Sequence, residues 1–308
     1  MSSSRADSTT LNQTLTYESS SHSFSIAHTT LGSPSSPPLI FIHGTPWTSA
    51  VWHPLAISLS HQFHVHIADN PGFGASPIEK PLSSTSTSFN SKVEEYDSDL
   101  ARQTEAWVAL FKHWQASWSP GAKPHVVAHD HAGLMSLRAH LLHGCEYASL
   151  CLIDVVAIGP FGKPLFKAVA DAPDVFNAMP DMALEGILES YIRNAAHFEL
   201  PKETMEMLKA PWLRQGGKAG FLRQLCQAAH RSTDAVEPRY GEVGKAMPVK
   251  VIWGAQDDWL PEETAWRLGT ALGAKEVSII QDAGHLIMYD QPAQLAVELT
   301  RWLCTPMQ

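Results

Sequence analysis

Apolar positions along the chain follow two rhythms. Leu39-Ile40-Phe41-Ile42, Phe63–Ala68, Val126–Ala128, Leu150–Ile153, Val249–Trp253 and Val277–Ile280 are short, largely apolar runs bounded by polar or glycine-containing turns. Such runs predict buried strands of a parallel sheet. Between them, Asp97–Trp114 places Leu100, Trp107, Leu110 and Phe111 on one side, and Glu263–Leu272 and Gln294–Leu303 show the same helical period. Leu15–Tyr17 and Phe24–His28 fit edge strands behind a flexible, Ser/Thr-rich tail, and the low-complexity segment 77–91 reads as a mobile loop. Strands alternating with helices predict an α/β fold, a mostly parallel sheet with helices on both faces.

The rhythm changes after Asp154. Residues 158–245 contain short helical stretches separated by prolines at 160, 164, 173, 180, 201 and 211, and Met182–His197 and Gly217–Ala229 are the clearest of them. A helical insertion in a parallel sheet predicts a cap over the strand ends, where ligands of open α/β sheets bind. The expected organisation is a core of residues 1–157 and 246–308 with an inserted lid at 158–245. Leu184, Ile187, Leu188 and Phe221 are expected to line or pack beneath an apolar pocket under that lid.

Composition narrows the functional classes. The 308 residues carry a net charge of −9 without any Lys/Arg run, so nucleic acid is not an expected partner. The polar start, Met1-Ser2-Ser3-Ser4-Arg5, lacks a signal-like apolar segment, and no run is long enough for a membrane span. The four cysteines, Cys145, Cys151, Cys226 and Cys304, lack zinc or redox spacing and read as reduced thiols of a cytoplasmic protein. The C-terminal Pro306-Met307-Gln308 is not a peroxisomal address. Sixteen histidines include His64-Val65-His66 and His129-Asp130-His131, but no H-E-x-x-H, so neither a metal nor another cofactor is expected. A small apolar organic substrate and a monomer or homodimer fit this profile.

The chemistry centres on Val126-Val127-Ala128-His129-Asp130-His131-Ala132-Gly133. An apolar strand enters a tight turn flanked by small residues, and a helix follows. This is the layout of a nucleophile elbow with aspartate in the serine position. A carboxylate is already an anion and can attack carbon directly, and the resulting ester then needs a base to activate water. His43-Gly44-Thr45-Pro46 can aim the Thr45 N–H at an oxyanion, with the N–H of His131 as the second donor. Asn70-Pro71-Gly72-Phe73-Gly74 shapes the neighbouring turn. Gly254-Ala255-Gln256-Asp257-Asp258 supplies an acid, with Asp257 favoured over Asp258 and over Asp154. Asp282-Ala283-Gly284-His285 supplies an imidazole. His129 is expected to pack against the sheet.

This ordered set resembles the α/β-hydrolase superfamily, and within it the aspartate-nucleophile branch of epoxide hydrolases and haloalkane dehalogenases. The likeness covers most of residues 38–157 and 246–305. It implies an α/β-hydrolase fold with a catalytic Asp130, Asp257 and His285. Dehalogenases in this branch hold halide with N–H donors that include a Trp after the nucleophile. Here that residue is His131, Thr45 replaces an Asn in the turn, and the cap's only Trp is Trp212. Epoxide hydrolases use cap tyrosines, and the cap carries Tyr191 and Tyr240. The resemblance therefore implies hydrolysis of an epoxide to a diol through an alkyl ester on Asp130, with Tyr191, Tyr240 and Trp212 as candidate leaving-group donors. The alternatives are a haloalkane dehalogenase, a lyase, cyclase or isomerase using Asp130 as a base, and a non-enzymatic ligand receptor.

Overall fold

A computed structural model describes residues 10–82, 100–159, 161–162, 164–226 and 231–304. Nine strands form one sheet: β1 Gln13–Glu18, β2 His22–Leu31, β3 Pro38–Ile42, β4 His64–Ala68, β5 Lys80–Pro81, β6 His125–His129, β7 Ser149–Ile153, β8 Val249–Gly254 and β9 Glu276–Ile280. Their order is β1-β2-β4-β3-β6-β7-β8-β9, with β5 beside β2. From β4 to β9 all neighbours are parallel, whereas β1, β2 and β5 join by antiparallel pairing. The sheet is therefore mixed, and the Ser/Thr-rich start of the chain supplies its antiparallel edge. The central strands β3, β4, β7 and β8 are buried throughout. That is why their sequences run apolar instead of alternating.

The helices are α1 His53–Leu59, α2 Leu100–Gln115, α3 His131–His143, α4 Pro164–Asp171, α5 Pro173–Asn177, α6 Asp181–Ala195, α7 Lys202–Leu213, α8 Gly217–Leu225, α9 Arg231–Asp234, α10 Val243–Ala246, α11 Glu263–Leu272, α12 Ile287–Asp290 and α13 Pro292–Cys304. On α2, Leu100, Thr104, Trp107, Leu110, Phe111 and Trp114 are buried at helical spacing and face α3. Helix α3 is itself buried from His131 to Ala139, as expected of a helix sandwiched between a sheet and another helix. Residues 77–82 are described and Lys80–Pro81 pairs with β2; the rest of the expected mobile loop, and the tail 1–9, lie outside the described residues.

Helices α4 to α10 lie between β7 and β8 as an inserted helical region. Its buried Phe166, Leu184, Leu188, Met205, Leu208, Trp212 and Phe221 join the core on the face that also holds Trp47, Trp52, Leu295 and Leu299. Ile187 instead lines an open groove beside Ala183 and Gly186.

The chain runs from β3 out to β4 and then returns to the other side of β3 as β6. That reversal makes the crevice beyond β3 and β6 a topological switch point, the position at which open α/β sheets bind ligands. In register, Leu39 and Phe41 of β3 lie opposite Val65 and Ile67 of β4 and opposite His125 and Val127 of β6. The loops that follow β3 and β6 thus leave the sheet side by side.

Candidate active site

Asp130 sits between β6 and α3 with φ 55° and ψ −130°. A non-glycine residue with positive φ stores roughly 1–3 kcal/mol of strain, and it persists where the surroundings hold it. Two glycines make the turn possible. A Cβ on Gly44 would fall 2.2 Å from Asp130 Cβ, and one on Gly133 would fall 2.4 Å from Val155 Cβ. The first opens the β3 turn to the carboxylate, and the second lets α3 lie against Val155 in the loop after β7.

The carboxylate is buried and used on both sides. Oδ1 accepts the Thr45 N–H at 2.8 Å and lies 2.8 Å from His131 Nδ1. Oδ2 lies 3.3 Å from His285 Nε2. Burial works to raise its pKa, but His131 and His285 outweigh it and hold Asp130 well below the usual carboxylate range. The group is an anion at neutral pH. The contact from His131 runs through its ring, while its backbone N–H is expected to meet an oxyanion formed during reaction.

His285 Nδ1 is 2.9 Å from Asp257 Oδ2, and Asp257 Oδ1 accepts the N–H groups of Trp259 at 2.7 Å and Leu260 at 3.0 Å. These three bonds fix the acid, whereas the neighbouring Asp258 is exposed. Burial lowers the pKa of His285, but Asp257 first and then Asp130 push it up to about 10. The resting imidazole is an imidazolium held between two carboxylates. Asp154 does not bond His285. It accepts the Gly254 N–H at 2.9 Å, and burial together with the Asp257 charge raises its pKa well above the usual carboxylate value.

Residues behind the site set its shape. His129 Nε2 donates to the His285 carbonyl at 2.9 Å, and the two rings lie 4.7 Å apart. His43 Nε2 accepts the Asn70 N–H at 2.9 Å while Asn70 Nδ2 donates to the His43 carbonyl at 2.9 Å, which ties the β3 turn to the β4 turn. Asp290, unforeseen from sequence, accepts the N–H groups of His197, Phe198 and Gly284 at 2.8, 2.9 and 2.9 Å. An acidic residue ahead of the helix-starting Pro292 is its only sequence signal.

The three leaving-group candidates separate. Tyr191 on α6 is buried, its ring lies 4.3 Å from that of Trp259, and its hydroxyl has no partner among the described residues. Burial, then the charges of Asp130 and Asp257, raise its pKa well above the usual phenol value, so it keeps its proton. Tyr240 is a correction: its hydroxyl donates to the Ala157 carbonyl, and its ring belongs to the core on the α2 and α3 face of the sheet. Trp212 is a second correction, because its Nε1 donates to the Pro46 carbonyl at 2.9 Å. Both fill buried positions where an unpaired donor would be costly, so the backbone takes them.

Beside the carboxylate, Asp130, His131, Val156, Phe161, Gly162, Phe166, Trp259 and Leu260 enclose about 30 Å³ of free space. That is room for about two waters. Among the described residues no cluster of three His, Cys, Asp or Glu side chains could hold a metal ion, and no helix is long and apolar enough to cross a membrane.

The strained elbow at a topological switch point, with the acid and the imidazole in the loops after later strands, is the architecture of one protein class. Residues 39–299 match the alpha/beta hydrolase family, and the chain belongs to it. An alpha/beta hydrolase fold protein from Burkholderia ambifaria is similar over 94% of this chain and 97% of its own, with 31% identity and a TM-score of 0.80. A haloalkane dehalogenase loop variant from Bradyrhizobium elkanii shares the fold at TM-score 0.65 and 16% identity, covering 94% of this chain and 96% of that one. A pimeloyl-[acyl-carrier protein] methyl ester esterase of Aeromonas hydrophila is 43% identical over 42 residues, 14% of this chain and 16% of the esterase. The curated relatives are matched over 16% to 65% of their own length.

Proposed function

We propose that this protein is a hydrolase that opens an epoxide to a diol through a covalent alkyl ester on Asp130. The observation that carries this reading is the division of labour on the Asp130 carboxylate. Oδ1 is held by Thr45, while Oδ2 stands 3.3 Å from the His285 imidazole.

Oδ2 attacks an epoxide carbon, forming the ester C–O bond as the C–O bond to the ring oxygen breaks. Tyr191 gives its proton to the departing alkoxide. The ester carries no charge, so His285 loses one of the two carboxylates that keep it protonated and releases its proton to solvent. The neutral imidazole, still oriented by Asp257, takes a proton from water, and the hydroxide adds to the ester carbonyl. The negative charge then develops on Oδ1, where the Thr45 N–H already lies. Collapse frees the diol as the imidazolium protonates its oxygen, the second water proton returns to Tyr191, and His285 regains from solvent the proton it had released. One diol oxygen comes from Asp130, and a water oxygen replaces it.

Haloalkane opening is the second reading. It is favoured by Trp47, which is fully buried beside the oxyanion turn with Nε1 unpartnered among the described residues, a possible N–H donor to halide.

The test uses His285→Gln, which permits alkylation and blocks hydrolysis. Mixed with epoxides and haloalkanes that the wild type converts, it should accumulate protein plus substrate mass on the peptide bearing Asp130. An epoxide adds whole, and a haloalkane adds without its halogen. General-base catalysis contributes ~10²–10⁴-fold, so the ester should outlast the assay. A converted substrate that leaves no adduct would remove the ester mechanism and favour Asp130 as a base.

A further inference from the structure

We infer that Trp259 is a positioning residue for the His285 base: the face of its indole lies against the imidazole, attracts the cationic form of that ring and fixes the plane in which it works. The inference rests on the alkyl-ester reading above, in which His285 is the base, and adds a residue to it.

Two rings lie against that of His285. The His129 ring is 4.7 Å away and tilted by 45°, and the Trp259 ring is 4.8 Å away and tilted by 30°. Rings as close and as near parallel as the second pair meet by offset faces. The face of an indole is negative and attracts a cation within about 6 Å of its centroid. His285 is such a cation. Asp257 Oδ2, 2.9 Å from Nδ1, and Asp130 Oδ2, 3.3 Å from Nε2, outweigh burial and keep the ring charged. The His285 side chain has no exposed surface, and desolvation strengthens a cation–π contact.

The titratable groups around His285 are Asp257 from the loop after β8, Asp130 from the elbow, His129 from β6 and Asp154 from the loop after β7, with Tyr191 of α6 against the Trp259 ring. His129 does a different job. Burial first and the His285 charge second lower its pKa to about 3, so it is neutral at pH 7, and its Nε2 holds the His285 carbonyl.

Trp259 is fixed at both ends. Its backbone N–H donates to Asp257 Oδ1 at 2.7 Å, so the carboxylate that orients the base also holds the root of the indole. Its Nε1 donates to Asn194 Oδ1 on α6 at 3.0 Å. The Tyr191 ring at 4.3 Å and the Trp47 ring at 6.0 Å pack on it. An indole tied in this way has little freedom to turn, so the face it offers His285 is set in advance. When Asp130 becomes a neutral ester, Asp257 and Trp259 still hold the imidazole while it exchanges its proton.

The experiment places 5,7-difluorotryptophan and 4,5,6,7-tetrafluorotryptophan at position 259 alone, by nonsense suppression. Fluorine withdraws electrons from the ring face and changes its shape little. The His285 titration is followed by NMR and assigned by its absence from His285→Gln. Its midpoint should fall stepwise with fluorination, by roughly 0.5–1.5 pH units in the tetrafluoro protein, the size of a desolvated cation–π contact. A role in packing alone would leave the titration in place, so an unmoved or raised midpoint would overturn the inference. The pH dependence of kcat is measured in parallel with an epoxide that the wild type converts. Where ester hydrolysis limits turnover, its acid limb should move to lower pH along the same series, because a less strongly held proton leaves His285 more readily. A titration that moves while the acid limb stays in place would establish the Trp259 contact and count against His285 as the base, and so against the alkyl-ester reading.

Discussion

Asp130 and His285 hold each other in opposite charge states. His131 first and the His285 imidazole second keep the carboxylate ionised, and the carboxylate is part of what pushes the His285 imidazole up to about 10. Asp130→Asn therefore has two expected consequences. Under the proposed mechanism turnover should fall by roughly 10⁴-fold or more, the scale on which removal of a nucleophile acts. The His285 pKa should fall below its wild-type value, because a negative neighbour has become neutral. Histidine titration by NMR reads the second effect independently of any substrate. An unchanged titration would mean that Asp257 alone sets the charge of His285. At this scale the sequence was legible where spacing fixes proximity: Asp130, Asp257 and His285 come together, and Asp258 is exposed. It was not legible where a role depends on which way a side chain turns. Tyr240 and Trp212 are spent on backbone carbonyls, and His131 meets the carboxylate through its ring.

Elements were legible where burial dictates pattern. The apolar runs became β3, β6, β7, β8 and β9 within a residue or two, and Glu263–Leu272 is α11 as read. The antiparallel edge was underestimated, because β2 extends from His22 to Leu31 through polar positions that pair with β4 and pack on α2. Contacts between the inserted helices and the core were not legible, since they join residues far apart in the chain. The strongest is a buried cluster in which Glu79 meets Arg223 of α8 and, at 3.1 Å, Arg102 of α2. Burial raises the Glu79 pKa, and Arg223 overcomes this and lowers it. Glu79→Gln leaves the Arg223 charge without its counter-ion, and breaking such a pair costs ~3–5 kcal/mol. The expected result is a clearly lower melting temperature, measured calorimetrically at pH 7. Arg223→Met, which removes the other charge but restores apolar packing, should not rescue the double variant fully, because Arg102 also needs Glu79.

The whole molecule carries its histidines unevenly. His28 is lowered to about 4, His129 to about 3 and His66 to about 2, in each case by burial first and a neighbouring histidine second. Above pH 6.5 these groups are neutral folded or unfolded and cost nothing. Below it the unfolded chain takes up protons that the folded one refuses, so stability falls by up to about 1.4 kcal/mol per pH unit for each. His285 acts in reverse: its contribution is complete below pH 6.5 and fades as pH rises towards 10. Urea unfolding from pH 4 to 10 should therefore show a maximum near neutrality and a steep acid limb. His66→Gln should flatten that limb between pH 6.5 and 4. An acid limb of unchanged slope would place the acid sensitivity elsewhere.

Asp290 gives this molecule an interlock. One oxygen holds Phe198, and the other is shared by His197 and Gly284. The first two residues follow α6, which carries Tyr191, and the third directly precedes His285. A single carboxylate thus clasps the end of the helix that carries Tyr191 and the start of the loop that carries His285. The inserted helices and the His285 loop are registered to each other by that one side chain.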